Sequence, residues 1–225
     1  MAHLAVFDAH LHIIDPRFPL VANQGYVPEP FTVDDYRAAT AGMDVVGGAV
    51  VAGSFQAGTD HLLDALGRLG PGFVGVAHLP ADVADDEILA LDGAGVRAVR
   101  FNLRRGGALD DDLAHRVHEV AGWHAEVYAT DLPAHEQRLR ALPRLVVDHL
   151  GMNDEGLAAA VRLGAMVKAT PRVDGDLRAV PPERLMFGTD LPGTRTDHVF
   201  SPDVIPAITN SALVDNARAW YRPRA

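Results

Sequence analysis

Eight short apolar runs punctuate the chain: Leu4–Phe7, Gly48–Ala52, Phe73–His78, Val96–Phe101, Glu126–Thr130, Leu145–Asp148, Met166–Ala169 and Arg184–Phe187. Their near-continuous Val, Ala and Leu character is that of parallel strands buried on both faces. Between them lie stretches of helical periodicity, at Thr59–Leu69, Val83–Leu91, Asp110–Gly122, Ala134–Ala141 and Glu155–Leu163. Strand alternating with helix marks βαβ units, and eight such units close a barrel. The pattern predicts an α/β fold, a compact (β/α)8 TIM barrel, as a single domain over residues 1–225. Pro171, Gly175, Pro181 and Pro182 fall where the seventh helix belongs and predict that it is cut to a turn. Pro16–Pro30 is a proline-punctuated loop after the first strand, long enough to cover a site.

Composition narrows the chemistry. The 225 residues are 48% hydrophobic and 22% charged, which suits a soluble globular chain with one sizeable core. Cysteine is absent, so disulfides and thiolate metal sites are excluded, and any metal must be held by His, Asp or Glu. A formal charge of −10 argues against a nucleic-acid partner. The first residues do not read as a signal peptide and no apolar run approaches a membrane span, so the expected location is the cytoplasm, with no membrane partner.

Catalytic groups of such a barrel sit at the carboxyl ends of its strands. Collecting those ends gives His10 and His12, Ser54, His78, Arg100 with Arg104 and Arg105, Tyr128, Asp148 and His149, Lys168 and Arg172, and Asp190. The strand interiors read as almost free of polar residues, so polarity is concentrated at one end of the barrel. His10 and His12, two apart at the end of the first strand, point to the same side. Asp190 closes the last apolar run, Leu185-Met186-Phe187-Gly188-Thr189-Asp190, so the two ends of the chain make one candidate site.

Four segments carry a family resemblance: Phe7-Asp8-Ala9-His10-Leu11-His12, Gly95-Val96-Arg97-Ala98-Val99-Arg100-Phe101-Asn102-Leu103, Val146-Val147-Asp148-His149-Leu150-Gly151, and Phe187-Gly188-Thr189-Asp190-Leu191-Pro192. In this order the chain resembles the amidohydrolase superfamily, in its amidohydrolase 2 branch, and most closely the 2-pyrone-4,6-dicarboxylate lactonase group. The resemblance implies a hydrolase acting on a small carboxylated lactone or related carbonyl compound without a metal: Asp190 activates water while His10, His12 and His149 polarise the carbonyl. Hydrolysis of an ester needs such a base, with its proton affinity lifted enough to accept a proton, and such donors. The rival implied by the same branch is a metal-dependent amidohydrolase or decarboxylase, with His10, His12 and Asp190 holding a single zinc or manganese ion. A rival outside catalysis is a barrel that merely binds a small acid.

The arginines point to the substrate. Guanidinium forks bind carboxylates in pairs of hydrogen bonds, and Arg100, Arg104, Arg105 and Arg172 gather at one rim of an acidic protein. With Tyr26, Ser54 and Tyr128 as further donors, they suit a small carboxylated substrate. Arg100 and Arg172 stand where the resembling family places carboxylate-binding arginines, and Arg104 and Arg105 share one further such position.

Some features depart from the family. The fifth strand ends Val127-Tyr128 with no metal-binding histidine, and His124 precedes it at the far end of the barrel. The family's Trp-Pro-His after the aspartate is replaced by Leu191-Pro192-Gly193-Thr194-Arg195, which adds a cation expected to depress Asp190. His61, His115, His118, His135 and His198 have no partner pattern, His78 is ambiguous, and Lys168 reads as the partner of an acid. Asp8 and Asp148 are expected to orient neighbouring histidines. Oligomeric state is not legible.

Overall fold

The computed structural model describes residues 5–198, 200–201 and 211–222. Eight strands, β1 (Ala5–Leu11), β2 (Asp44–Val51), β3 (Phe73–Ala77), β4 (Val96–Asn102), β5 (His124–Tyr128), β6 (Leu145–Val147), β7 (Met166–Ala169) and β8 (Leu185–Phe187), lie side by side in chain order, each parallel to the next. Helices α1 (Val33–Ala39), α2 (Asp60–Leu69), α3 (Asp85–Ala94), α4 (Asp111–Ala121), α5 (Glu136–Leu139) and α6 (Asp154–Arg162) fall between successive strands. The result is a compact (β/α)8 barrel. Between β7 and β8 there are only two short 3-10 turns, at Leu177–Ala179 and Pro182–Arg184, as the prolines there require. The first predicted strand began at Leu4, which lies outside the described residues.

Two layers of apolar side chains hold the barrel. Phe7, Ala49, Val74, Val76, Ala98, Val146, Met166 and Met186 pack together in the interior, and helix α7 (Asn216–Tyr221) seals the amino end with Ala217 and Tyr221. The opposite strand faces meet the helices, with Leu11, Val50, Val99, Val127 and Val167 packed against Tyr36, Leu62, Ile88, Val117 and Leu157. Helices α4 and α6 start on side-chain caps: Asp110 accepts from Leu113 N (2.9 Å) and Asn153 from Gly156 N (2.8 Å). Among the described residues no helix is long and apolar enough to cross a membrane.

Strand β2 starts at Asp44, four residues before the predicted Gly48, and three further details differ from the sequence expectation. Strand β5 starts at His124, two residues before the predicted Glu126, because Ala98 of β4 pairs with His124 in register. Strand β1 carries one extra residue between Asp8, opposite Gly48, and Leu11, opposite Val50. That bulge changes which face the following side chains take: Phe7 and the His10–His12 pair share the interior, while Asp8 reaches Tyr36 of α1. Third, the barrel interior is not free of polar groups, since Glu126 and Lys168 are completely buried within it.

Candidate active site

The seam between β1 and β8 closes at the carboxyl end. Asp190 N donates to His10 O (2.8 Å) and His12 N to Leu191 O (2.9 Å), so the backbone itself brings the two histidines to the aspartate. Gly188 permits the approach: a Cβ there would sit 2.6 Å from that of His10. Asp8 locks the seam from behind, accepting from Thr189 N (2.9 Å), Thr189 Oγ1 (2.6 Å), His10 N (3.2 Å) and Tyr36 Oη (3.0 Å). Its role is thus to fix the backbone of the site; burial nonetheless lifts its carboxyl to about 6.

Asp190 and His149 both adopt left-handed backbone, with φ of 56° and 51°. Non-glycine residues rarely hold that conformation, and where they do it concentrates at functional sites. The chain leaves β6 through His149, Leu150 and Gly151, all at positive φ, a reversal that turns the His149 ring onto those of His10 (centroids 4.6 Å apart) and Tyr128 (4.8 Å).

The side chains converge tightly. Nε2 of His10 and Nε2 of His12 each lie 3.6 Å from Asp190 Oδ1. His12 Nδ1 is 2.7 Å from Val51 O. A carbonyl only accepts, so Nδ1 carries the proton, and the neutral form of the ring has its lone pair on Nε2, toward Asp190. Nδ1 of His10 is shared between Asp148 Oδ1 (3.3 Å) and Lys168 Nζ (3.4 Å). Burial lowers the His10 imidazole to about 3, so the ring is neutral. Asp148 is held well below the usual carboxylate range: Lys168, His10 and Arg100 outweigh the burial that would raise it. An ionised Asp148 favours the His10 proton on Nδ1, which leaves Nε2 as an acceptor too. Among the described residues, neither His10 Nε2 nor Asp190 Oδ1 has a hydrogen-bond partner.

Burial alone would raise Asp190, but the polar groups around it, His149, His12 and His10 with the Arg172 guanidinium, together hold it far below the ordinary carboxylate value. The expectation that its surroundings lift its proton affinity is therefore corrected. The cation responsible is also not Arg195. Arg172 Nε and Nη2 stand 2.8 and 2.7 Å from Asp190 Oδ2, whereas Arg195 lies over the ring of Tyr26, 4.4 Å from its centroid.

Charge in the buried network is balanced pair by pair: Asp190 with Arg172, Asp148 with Arg100 (2.9 Å) and Glu126 with Lys168 (2.5 Å). Sequence reasoning took Lys168 for the partner of an acid but did not find Glu126, whose only signal was a carboxylate alone among the apolar residues of β5. Thr170 was also missed; its Oγ1 is 2.7 Å from His149 Nδ1.

Above this floor opens a narrow cleft with about 30 Å³ of enclosed space, lined by His12, Ser54, Arg100, Tyr128, His149 and Arg172, with Arg105 and Arg195 on its wall. Of the residues expected to bind substrate, Ser54, Arg100, Arg105, Arg172 and Tyr128 line it. Tyr128 Oη is buried with no partner. Tyr26 instead packs under Arg195 and against Phe55. Arg104 donates to Thr130 Oγ1 (2.9 Å), and of the two arginines it is Arg105 that lines the cleft. His78 lines a second cavity that meets the cleft at Ser54, Arg100, Asn102 and Arg105. His124 is buried at the amino end, against Trp220 and Tyr221, far from the histidine pair.

The amidohydrolase family model matches residues 7–222. The chain is 31% identical to 2-pyrone-4,6-dicarboxylate hydrolase of Comamonas testosteroni, over 96% of this chain and 90% of that protein. Among solved structures, Agrobacterium tumefaciens ATU3138 superposes with a TM-score of 0.79 at 20% identity, over 99% of this chain and 97% of that one. A Pseudomonas putida protein provisionally assigned as a 2-pyrone-4,6-dicarboxylic acid hydrolase superposes at 0.67 and 25% identity, over 97% of this chain and 91% of its own.

Proposed function

The chain belongs to the amidohydrolase family and is a hydrolase of that superfamily, and from this premise we propose that it opens a small lactone bearing carboxylate, with Asp190 taking the proton from the attacking water. The observation that carries this reading is an ionised, histidine-flanked Asp190 whose neighbours His12 and Arg172 line a guanidinium-rich cleft.

Water in front of Asp190 gives one proton to Oδ1 and the other to Nε2 of His10 or His12, and turns its own lone pair to the ester carbonyl. As acceptors, these two histidines do not polarise the carbonyl as the resemblance implied. His149 and the unpartnered hydroxyl of Tyr128 face the cleft and serve the oxyanion that develops as water adds. With Thr170 donating to Nδ1, His149 keeps its proton on Nε2 for that purpose. A strongly acidic Asp190 is a weak base in the free protein. An anionic substrate beside it, and then the oxyanion, add negative charge and raise its proton affinity when the proton must move.

The same donor atoms fit a divalent cation: His10, His12 and Asp190 each offer one ligand, all within 4.8 Å of one another, and His10, Asp148 and His149 form a second such group. A bound zinc or manganese ion would supply Lewis-acid polarisation and a more acidic water. We place it outside the required chemistry. Arg172 already neutralises Asp190, and Arg100 and Lys168 balance Asp148 and Glu126, so a dication would add uncompensated charge.

Ring opening by chelator-treated protein, followed across lactones with and without carboxylates, tests this. The expected result is metal-free turnover of the carboxylated lactones, with kcat/KM about tenfold to a hundredfold above neutral ones. Equal turnover of neutral lactones removes the anion-binding reading. Activity lost on chelation and restored by zinc or manganese overturns the metal-free one.

A further inference from the structure

The cations at the cleft divide into those already neutralised and those not. Arg100 is held by Asp148 and Arg172 by Asp190. Arg104 is turned to Thr130 and the face of Tyr128. Arg105 and Arg195 line the same cleft, and neither pairs with a carboxylate among the described residues.

Arg195 is nevertheless held in place. Its backbone is left-handed (φ 57°), a conformation uncommon in non-glycine residues. Its guanidinium donates to the carbonyl of Asn23, to Asn23 Oδ1 (3.3 Å) and to Gln24 Oε1 (3.3 Å), and lies on the ring of Tyr26. These partners come from one tight turn. Asn23 and Tyr26 exchange backbone hydrogen bonds (3.0 Å each), with Gln24 and Gly25 at φ of 50° and 75° between them. That is the geometry of a turn with two left-handed central residues, for which a glycine in second place is well suited. Asn23 also reaches the other arginine: its Nδ2 donates to Arg105 O (3.2 Å). One asparagine therefore ties the backbone of Arg105 to the side chain of Arg195 across the cleft wall. Every partner of Arg195 is neutral, so its charge is fixed in position and left uncompensated. Burial and the nearby charges of Arg195, Arg104 and Arg172 all disfavour the cation at Arg105. The protein holds like charges together there against their repulsion, and an anion relieves it.

We propose that Arg195 is a specificity-determining residue which, with Arg105, receives a second carboxylate of the substrate and so selects dianionic over monoanionic lactones. This rests on the carboxylated-lactone reading above and extends it to a residue that the family resemblance does not supply. The neutral anchors suit the task, because Arg195 keeps its charge for the ligand while the Asn23–Tyr26 turn carries the orientation.

Calorimetric titration of the whole protein with glutarate and with pentanoate tests the proposal without requiring turnover. Wild-type protein is expected to bind glutarate more tightly. In Arg195→Gln the ratio of glutarate to pentanoate affinity falls by about tenfold to a hundredfold, and in Arg195→Lys, which keeps the charge but loses the fork, by a smaller factor. Thermal melts establish that each variant is folded, and either variant alone decides the question if the other is not. A ratio unchanged from wild type, or a wild type that prefers pentanoate, overturns the proposal. Absent lactone turnover alongside an Arg195-dependent ratio instead refutes the lactonase reading and leaves the dianion site standing.

Discussion

Arg172 grips one oxygen of Asp190 and leaves the other free. Its Nε and Nη2 both address Oδ2, at 2.8 and 2.7 Å, while Oδ1 faces the histidine pair at 3.6 Å. Nη2 also donates to Thr194 O (2.8 Å), which fixes the guanidinium plane. The carboxylate is therefore oriented from behind.

We infer that Arg172 positions Asp190; the sequence reading made it a substrate contact, and it also lines the cleft. Arg172→Met frees the carboxylate to rotate and removes a charge that stabilises it. Steady-state kinetics should show kcat falling by about a hundredfold, since one charged hydrogen-bond donor is lost at the reacting group, with a smaller change in KM. A rise in KM at constant kcat would return Arg172 to the substrate.

Asp190→Asn keeps the shape and tolerates the left-handed backbone, because asparagine adopts that conformation more readily than most residues. It removes the proton acceptor. Turnover is expected to drop by about a thousandfold, within the range attributed to general bases, while circular dichroism and the melting profile stay those of a folded barrel. Retention of activity by the folded variant removes Asp190 from the chemistry.

Much of this was legible before any coordinates. Eight apolar runs map onto eight strands because parallel strands buried on both faces have little freedom in composition, and prolines at 171, 181 and 182 foretold the missing helix. His10, His12 and Asp190 were found because chain ends that close a barrel seam also carry its polar residues. What stayed hidden depends on which face a side chain takes. The β1 bulge cannot be read from alternation, the start of β5 is set by its register with β4, and pairings such as Arg172 with Asp190 or Arg195 with Tyr26 join residues 18 and 169 positions apart. Charge near a site was legible in the sequence, whereas its neutralisation was not.

Glu126 and Lys168 form a fully buried ion pair below the histidines, with Tyr221 Oη on Glu126 and Asp148 Oδ1 3.4 Å from the ammonium. Removing one partner leaves a charge in the interior, so Lys168→Met should cost about 3–5 kcal/mol in urea unfolding. Adding Glu126→Gln to it should restore a large part of that loss, because the stranded charge is what costs most. A double variant as unstable as the single one would show that packing, not charge, governs the site.

His124 provides the clearest pH signature. It sits at the amino end of the barrel, its Nε2 3.2 Å from Glu126 Oε1, with Trp220 and Tyr221 against its ring and the cations of Arg144 and Lys168 acting on it. Burial lowers its imidazole from 6.5 to about 4, more than Glu126 can offset. Between those values the unfolded chain takes up a proton that the folded chain refuses. Stability therefore rises with pH across the window and is lost as pH falls through it, by about 3 kcal/mol for this group alone. His10 and His78, lowered to about 3 and about 4, act in the same direction, whereas Asp8, raised to about 6, loses stability as pH rises from 3.8. His124→Gln keeps a donor for Glu126 and removes the titration. Urea unfolding from pH 4 to pH 7 should give a shallower dependence than wild type, by about 1.4 kcal/mol per pH unit at most. Parallel curves for the two proteins would show that His124 charges within the folded barrel.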